Sequence, residues 1–599
     1  MDENSKNTKA QLPEIPDAMC DTWAATDGLG RALPSYEEVG GPRNRFVGMF
    51  YWTWHIGQRH LEQQPVNVND IIERFPEASH DVDHPAWGPQ GVSNHWNEPL
   101  YGYYLTDDRW VLRRHAELLA AAGVDVIIFD NTNGTATWKD SYDVLFEVFA
   151  QARRDGVNTP RISFLLPFWA CGTDRATHLR KLYNDVYKPG RYKDLWFFWK
   201  GKPLVMCSPE DLWDSSDPTD REILSFFTFR PGIPEYNVSD AQRQAEDREN
   251  GRPFRSQYWS WLSVYPQAIN RNEDGTPEQM AVSVAQNWSA ERGLTAMNGE
   301  NVFGRTYASG GYDKRPDALL RGANFAEQAR RALAVDPEFV FITGFNEWVA
   351  GRYKDWYGVT NAFPDEFNDE FSRDVEPSKG KLKDHYYYQT VDFIRRYKGV
   401  RPAPRDSEYR RIATFDDWRD VPCVYRSYPG NTFDRDAAGY GGIRYTDLSG
   451  RNDIVLAKTA SDEENVCFYV ECADELSPCA DRDWMRLLIS IPGAGCTKEG
   501  YTHAVNTSPP SDGITDVVRF DGEKGWSKAG SARIDIDGNR LMLAVPKTAL
   551  GIDGDSFAVD FKWTDNIHAD FGAADFYLYG DTAPTGRFNY RYRFCKTDF

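Results

Sequence analysis

The chain has no apolar run long enough to span a bilayer, no low-complexity tract and no internal repeat at periods of about 20 to 50 residues. Membrane insertion and solenoid or propeller architectures are set aside on those grounds. Among the nine cysteines, Cys20, Cys171, Cys207, Cys423, Cys467, Cys472, Cys479, Cys496 and Cys595, no CxxC pair or Cys/His cluster has zinc-site spacing. No metal and no other cofactor is expected. Six of the nine follow Pro422, where export would permit one or two disulfides, but the odd count and long spacings demand none. No Gly-rich phosphate loop follows an early strand, as a nucleotide-binding open sheet would need. No basic stripe offsets a net charge of −21, so nucleic acid and anionic membranes are poor partners. The opening residues, MDENSKNTKAQLPEIPDAM, carry neither the basic nor the apolar region of a signal peptide. An intracellular protein and a mature chain freed of its signal share that pattern.

What is present is globular in composition: 41% hydrophobic, 27% charged, and long enough at 599 residues for two to four domains. Aromatics reach 14%, with 20 Trp and 31 Tyr, a content that suits clefts lined by flat rings for sugars.

Eight strand candidates punctuate the first two thirds: Phe46–Trp54, Val124–Asp130, Arg161–Leu166, Pro203–Cys207, Ile223–Phe229, Arg255–Trp261, Met280–Asn287 and Phe339–Phe345. The run VDVIIFD is continuous, as in a parallel strand buried on both faces. Amphipathic stretches lie between the runs. One is expected to start at a Thr106 cap, with Asp107 and Asp108 in its first turn, and to end at Gly123; the next stops at Gly156. Eight strands alternating with helices predict a (β/α)8 TIM-type barrel, with an open doubly wound sheet as the alternative. After the helical stretch His385–Gly399, the Pro-containing RPAPRDSEY reads as a linker, and the texture turns to short alternating segments separated by Gly, Asp and Asn. The expected division is a barrel over residues 1–400 with an N-terminal extension, a linker over 401–410, and an all-β sandwich over 411–599.

In such a barrel the chemistry gathers where strands end. The segment EFVFITGFNEWVAGRY ends a buried strand in Asn346, Glu347 and Trp348. A carboxylate beside an indole suits the cleavage of a glycosidic bond, the acid serving the bridging oxygen and the ring face the sugar. A solvated Glu347 and an inward-packed Trp348 are the plainer alternative. Asp130 ends the second strand candidate beside Asn131, where it could equally cap a turn. Tyr51 and Trp52 near the end of the first strand candidate, with His55 just after it, would sit near the barrel mouth, and Trp169 follows the third. The loop SNHWNEPLYGYY holds His95, Trp96, Glu98 and Tyr101 and reads as a sugar subsite or as a lid.

The motifs HWNEPLYGYY, AGVDVIIFDNTNG, KGKPLVM and TGFNEWVAG, in that order, resemble the glycoside hydrolase family 99-like and family 71-like barrels over roughly Phe46 to Gly399. The resemblance implies a (β/α)8 enzyme acting on α-linked glycans. In that family the last strand ends in Glu-Trp-x-Glu-Gly, with both glutamates catalytic. Glu347, Trp348 and Gly351 match; Ala350 stands where the second glutamate belongs. A partner carboxylate must therefore come from elsewhere, with Asp130 the first candidate and Glu98 the second. The stretch DFKWTDNIHADFG followed by YLYGDTAPTGRFNYRY resembles a family 9-like carbohydrate-binding module. The expected protein is a secreted or periplasmic glycoside hydrolase with catalytic Glu347, Asp130 and Glu98. Its substrate would meet Tyr51, Trp52, His55, His95, Trp96, Trp169, Asn346 and Trp348. A glycan-binding protein that has lost activity, with Ala350 as the trace of that loss, is the second reading. A glycosyltransferase is the third, and no nucleotide-sugar site speaks for it.

Overall fold

The computed structural model describes residues 17–56, 64–89, 92–167, 174–235, 258–289, 293–300 and 302–596. Eight strands are central to its first part: β1 (Phe46–Tyr51), β2 (Val126–Asp130), β3 (Arg161–Leu165), β4 (Lys202–Val205), β5 (Gly232–Glu235), β6 (Trp259–Ser263), β7 (Pro277–Val282) and β8 (Phe339–Ile342). Helices α1 (Arg109–Ala122), α2 (Lys139–Arg154), α3 (Asp174–Leu182), α4 (Pro218–Phe226) and α5 (Ala323–Val335) fall between them, and α6 (His385–Lys398) follows. Strands β7, β8, β1, β2 and β3 pair side by side in that order, all parallel, with Asn270–Arg271 added antiparallel to β7. Past β3, Leu165 pairs in parallel with Met206 at the end of β4. Strand β4 pairs with Thr228–Phe229, and β5 with β6, again in parallel. The way back to β7 runs through Gln279, whose side chain accepts from the Ser260 N–H at 2.9 Å and donates to the Ser260 carbonyl at 2.7 Å.

Successive side chains of a strand point to opposite faces. Phe50, Trp52, Val126, Ile128, Leu165, Leu204, Met206, Trp259, Phe339 and Phe341 share one buried interior. Val47, Met49, Tyr51, Ile127 and Phe129 belong to the other face, which packs with α1 and α2.

Two local expectations are corrected. Helix α1 is capped by Asp108, which accepts from the N–H groups of Trp110 (3.1 Å) and Val111 (3.2 Å). Thr106 instead accepts from the His55 N–H at 2.9 Å. The run Ile223–Phe229 is mostly the end of α4, because Asp217 caps that helix and Pro218 opens it; only Thr228–Phe229 is strand.

The C-terminal part is built on one large, mostly antiparallel sheet. Ile454–Ser461, Asn465–Cys472, Arg540–Pro546 and Trp526–Asp537 stand next to one another, and Ser556–Asp565 and Tyr590–Cys595 lie towards the other end. The sheet folds back on itself: Phe468 and Tyr425 from one end each meet Phe561 from the other, at 5.2 Å between ring centroids. Among its described residues, α-helix is confined to two single turns, Lys547–Leu550 and Asp575–Leu578. Arg405–Asp406, within the expected linker, forms an edge strand on Arg593–Phe594. The two parts are closely joined. Ala24 and Asn589 exchange backbone hydrogen bonds, and Arg435 donates to the buried cap carboxylate of Asp108 at 2.7 Å. The buried Arg587 pairs with Asp384 at 2.6 Å. No helix among the described residues is long and apolar enough to cross a membrane.

Candidate active site

Because β8, β1 and β2 are neighbours and parallel, the residues that follow them emerge along one edge of the sheet. Asp130 shares the inward parity of Val126 and Ile128. Its Oδ2 accepts from the Trp54 Nε1–H at 3.2 Å, and its Oδ1 from the Thr132 N–H at 3.2 Å. Trp54 is held by stacking on both sides, on Trp52 (3.9 Å) and on Trp138 (4.7 Å). Burial raises the Asp130 carboxyl to about 6 against those two hydrogen bonds, and the charge of Asp365 adds to the rise.

Glu347 stands next along the edge and is buried. Its N–H donates to Asp374 Oδ1 at 2.7 Å, while Trp96 Nε1 donates to Asp374 Oδ2 at 3.0 Å. Its carboxyl meets Arg373, with Oε2 3.6 Å from Nη2. Burial drives Glu347 well above the usual carboxylate range; Asp365, Glu366 and Asp130 add to the rise, and Arg373 opposes it. Burial thus favours the protonated form of Glu347, and the charge of Asp130 across the edge works in the same direction.

The segment that completes the site was not singled out in the sequence. From Asp365 to Glu376 it holds six carboxylates, a pattern that by itself reads as a solvated acidic loop. It is folded inward instead: Glu366, Ser372, Arg373, Asp374 and Glu376 are all buried. Glu366 accepts from the Arg373 N–H at 2.8 Å and faces its guanidinium at 3.4 Å; that guanidinium lies over Trp261 at 5.4 Å. Burial and the neighbouring Asp374 push Glu366 well above its ordinary value, and burial lifts Asp374 to about 6. Gly344 permits the approach. At φ +149° its Cβ position lies 2.4 Å from the Arg373 carbonyl, so no side chain fits.

Behind the edge lies a second polar network. The Tyr51 hydroxyl and His115 Nδ1 are 2.8 Å apart, and His115 Nε2 is 3.0 Å from Glu376 Oε1. Glu376 Oε2 accepts from Tyr104 (2.8 Å) and from Trp348 Nε1 (2.5 Å). Tyr51 thus faces α1 on the outward side of β1, not the strand-end opening. Trp348 stacks on Trp96 at 4.5 Å, and both indoles are buried, leaving no ring face open to a sugar. Asn346 is a brace: its Oδ1 accepts from the Trp52 N–H at 2.8 Å. His55 and His95 are buried, which holds His55 well below the usual histidine range and takes His95 down to about 3; His95 packs against Tyr103 and Tyr440. Glu98 turns to Lys379 at 2.5 Å and is 29% exposed. Trp169 lies outside the described residues. The partly exposed indoles beside the carboxylates are Trp54, Trp138 and Trp261, none of which the sequence had marked. Among the described residues no cluster of three or more His, Cys, Asp or Glu side chains could hold a metal ion.

No family profile matches the sequence, and no curated protein matches it. Among solved structures, the fold is similar to a GH99 endo-alpha-mannosidase from Bacteroides thetaiotaomicron. That match has 12% identity and a TM-score of 0.34, covering 60% of this chain and all of that one. It is also similar to a glycoside hydrolase family 5 protein from Bacteroides vulgatus, at 12% identity and a TM-score of 0.20, covering 76% of this chain and 90% of that one.

Proposed function

We propose that the first part of the chain is a (β/α)8 barrel that hydrolyses glycosidic bonds in an α-linked oligo- or polysaccharide, with Glu347 as the proton donor. The observation that carries the reading is the placement of Glu347: a buried carboxyl just past the end of β8, 3.6 Å from the Arg373 guanidinium, with Asp130 ending β2 two strands away. A carboxylic acid that keeps its proton near neutrality is what a leaving oxygen requires, and a second carboxylate in reach is what the attack on the anomeric carbon requires. That partner is drawn from the same end of the sheet, where Asp130 ends β2 and Asp365 meets Arg373, whereas Glu98 pairs with Lys379. The partly exposed Trp54, Trp138 and Trp261 supply ring surface beside the acids. The C-terminal sheet, fixed to the barrel through Arg435–Asp108 and Arg587–Asp384, would hold any glycan it binds in constant register with the cleft.

Digestion of a glycan library tests the reading. The wild type should release sugar from at least one member. Glu347→Gln, which keeps shape but cannot ionise, should cut turnover by about 100-fold or more with an unchanged melting curve. A chain that binds a glycan and cleaves none would be the inactive binding protein instead.

A further inference from the structure

Two-carboxylate hydrolysis needs an acid and a partner at a defined spacing, and one nitrogen of this site measures that spacing. Arg373 Nη2 lies 3.6 Å from Glu347 Oε2 and 3.3 Å from Asp365 Oδ1. The two carboxylate oxygens therefore cannot be more than about 7 Å apart, an upper bound that admits the spacing of about 5–5.5 Å of retaining pairs and the short end of the roughly 6.5–9.5 Å of inverting pairs. Arg373 is itself immobile, buried and gripped by Glu366 through both its backbone and its guanidinium. Asp130 accepts from Trp54 and from Thr132.

Exposure separates the two clamped groups. The Asp365 side chain is 52% exposed, whereas Glu347 is 6% exposed. Water reaches the first and is excluded from the second.

Resting on the glycosidase reading above, we propose that Asp365 is the second catalytic carboxylate and the base that activates water. In the reaction Glu347 gives its proton to the glycosidic oxygen as the bond from that oxygen to the anomeric carbon breaks. A water oxygen bonds to the same carbon from the opposite face, and its proton passes to Asp365. One bond forms and one breaks, each carboxyl ends in the other's starting state, and solvent exchange resets both. The product sugar has the inverted configuration. Arg373 is a positioning residue that fixes the pair.

The test uses the full-length chain and a dinitrophenyl glycoside of whichever glycan the wild type cleaves. Asp365→Ala, at a half-exposed position, should leave the melting curve in place and lower turnover by about 100-fold or more. Sodium azide should restore turnover by occupying the vacated space, giving a glycosyl azide. NMR of the wild-type reaction should show the inverted anomer first. Activity of Asp365→Ala within tenfold of wild type, a loss that azide does not rescue, azide rescue of Asp130→Ala instead, or retention of configuration would each overturn the assignment while leaving the hydrolase reading standing. A wild type that cleaves no glycan would overturn the hydrolase reading itself.

Discussion

Replacing Asp130 by Asn should make the protein more stable at neutral pH and less stable in acid, and the crossing point is the test. In the folded chain the Asp130 carboxyl titrates at about 6, against 3.8 for an ordinary aspartate. Between those values the folded protein keeps a proton that the unfolded chain has released. Wild-type stability therefore falls as pH rises through that window and levels off above it. The cost of holding Asp130 ionised and buried is about 3 kcal/mol at neutral pH. An Asn amide avoids that cost but accepts fewer hydrogen bonds. Its carbonyl can serve either the Thr132 N–H or the Trp54 Nε1–H, while its NH2 opposes the other donor, a loss of about 1 kcal/mol. The variant should be about 2 kcal/mol more stable than wild type above pH 7, a few degrees in melting temperature. Near pH 3.5 the wild-type carboxyl is neutral and the variant should be the weaker by about 1 kcal/mol. Thermal melts of both proteins from pH 3.5 to 8 measure the difference directly. Parallel curves, or a variant that is weaker throughout, would refute the burial cost assigned to Asp130.

Three further outcomes follow from the packing. Gly344→Ala should cost about 2 kcal/mol or more and abolish glycan cleavage, because the added methyl meets the Arg373 carbonyl and displaces the clamp; melting and turnover should fall together. Arg373→Met should cost about 1–3 kcal/mol, since Glu366 loses the guanidinium it faces, and a thermal melt reads the loss. Arg435→Ala strips the buried Asp108 of its partner between the two parts of the chain. It should split a single unfolding transition into two in calorimetry, whereas an unchanged single transition would show that the joint does not depend on this pair.

How far the sequence exposes this arrangement depends on what each residue answers to. The runs around β1, β2 and β8 are legible because strands buried on both faces are continuously apolar, and α1 and α2 because one face of each is not. That same continuity hides parity. Nothing in FVGMFYWTW says that Tyr51 faces helix α1 while Trp52 faces the interior, since both environments are apolar. The strand-like run Ile223–Phe229 misleads for a related reason, its apolar residues serving a helix end equally well. Asp365–Glu376 is the least legible. A dense acidic segment is ordinarily solvated, and its burial here depends on distant cations and donors, Arg305 and the indole N–H groups of Trp96 and Trp348. No local pattern encodes those pairings.

Ala350 takes on a different meaning beside that segment. It is buried, and its N–H donates to the Asn94 carbonyl at 2.8 Å, so a carboxylate at that position would be enclosed against the segment that precedes Trp96. Enclosed together, both acids would lose solvation to a similar degree. Drawing the partner from the rim of the 365–376 segment separates the environments. Glu347 is buried, which favours its protonated form, while the Asp365 side chain is half open to solvent. An acid and a base in one cleft are made by such a difference in surroundings, and a residue half open to solvent can supply one as well as a residue on a strand.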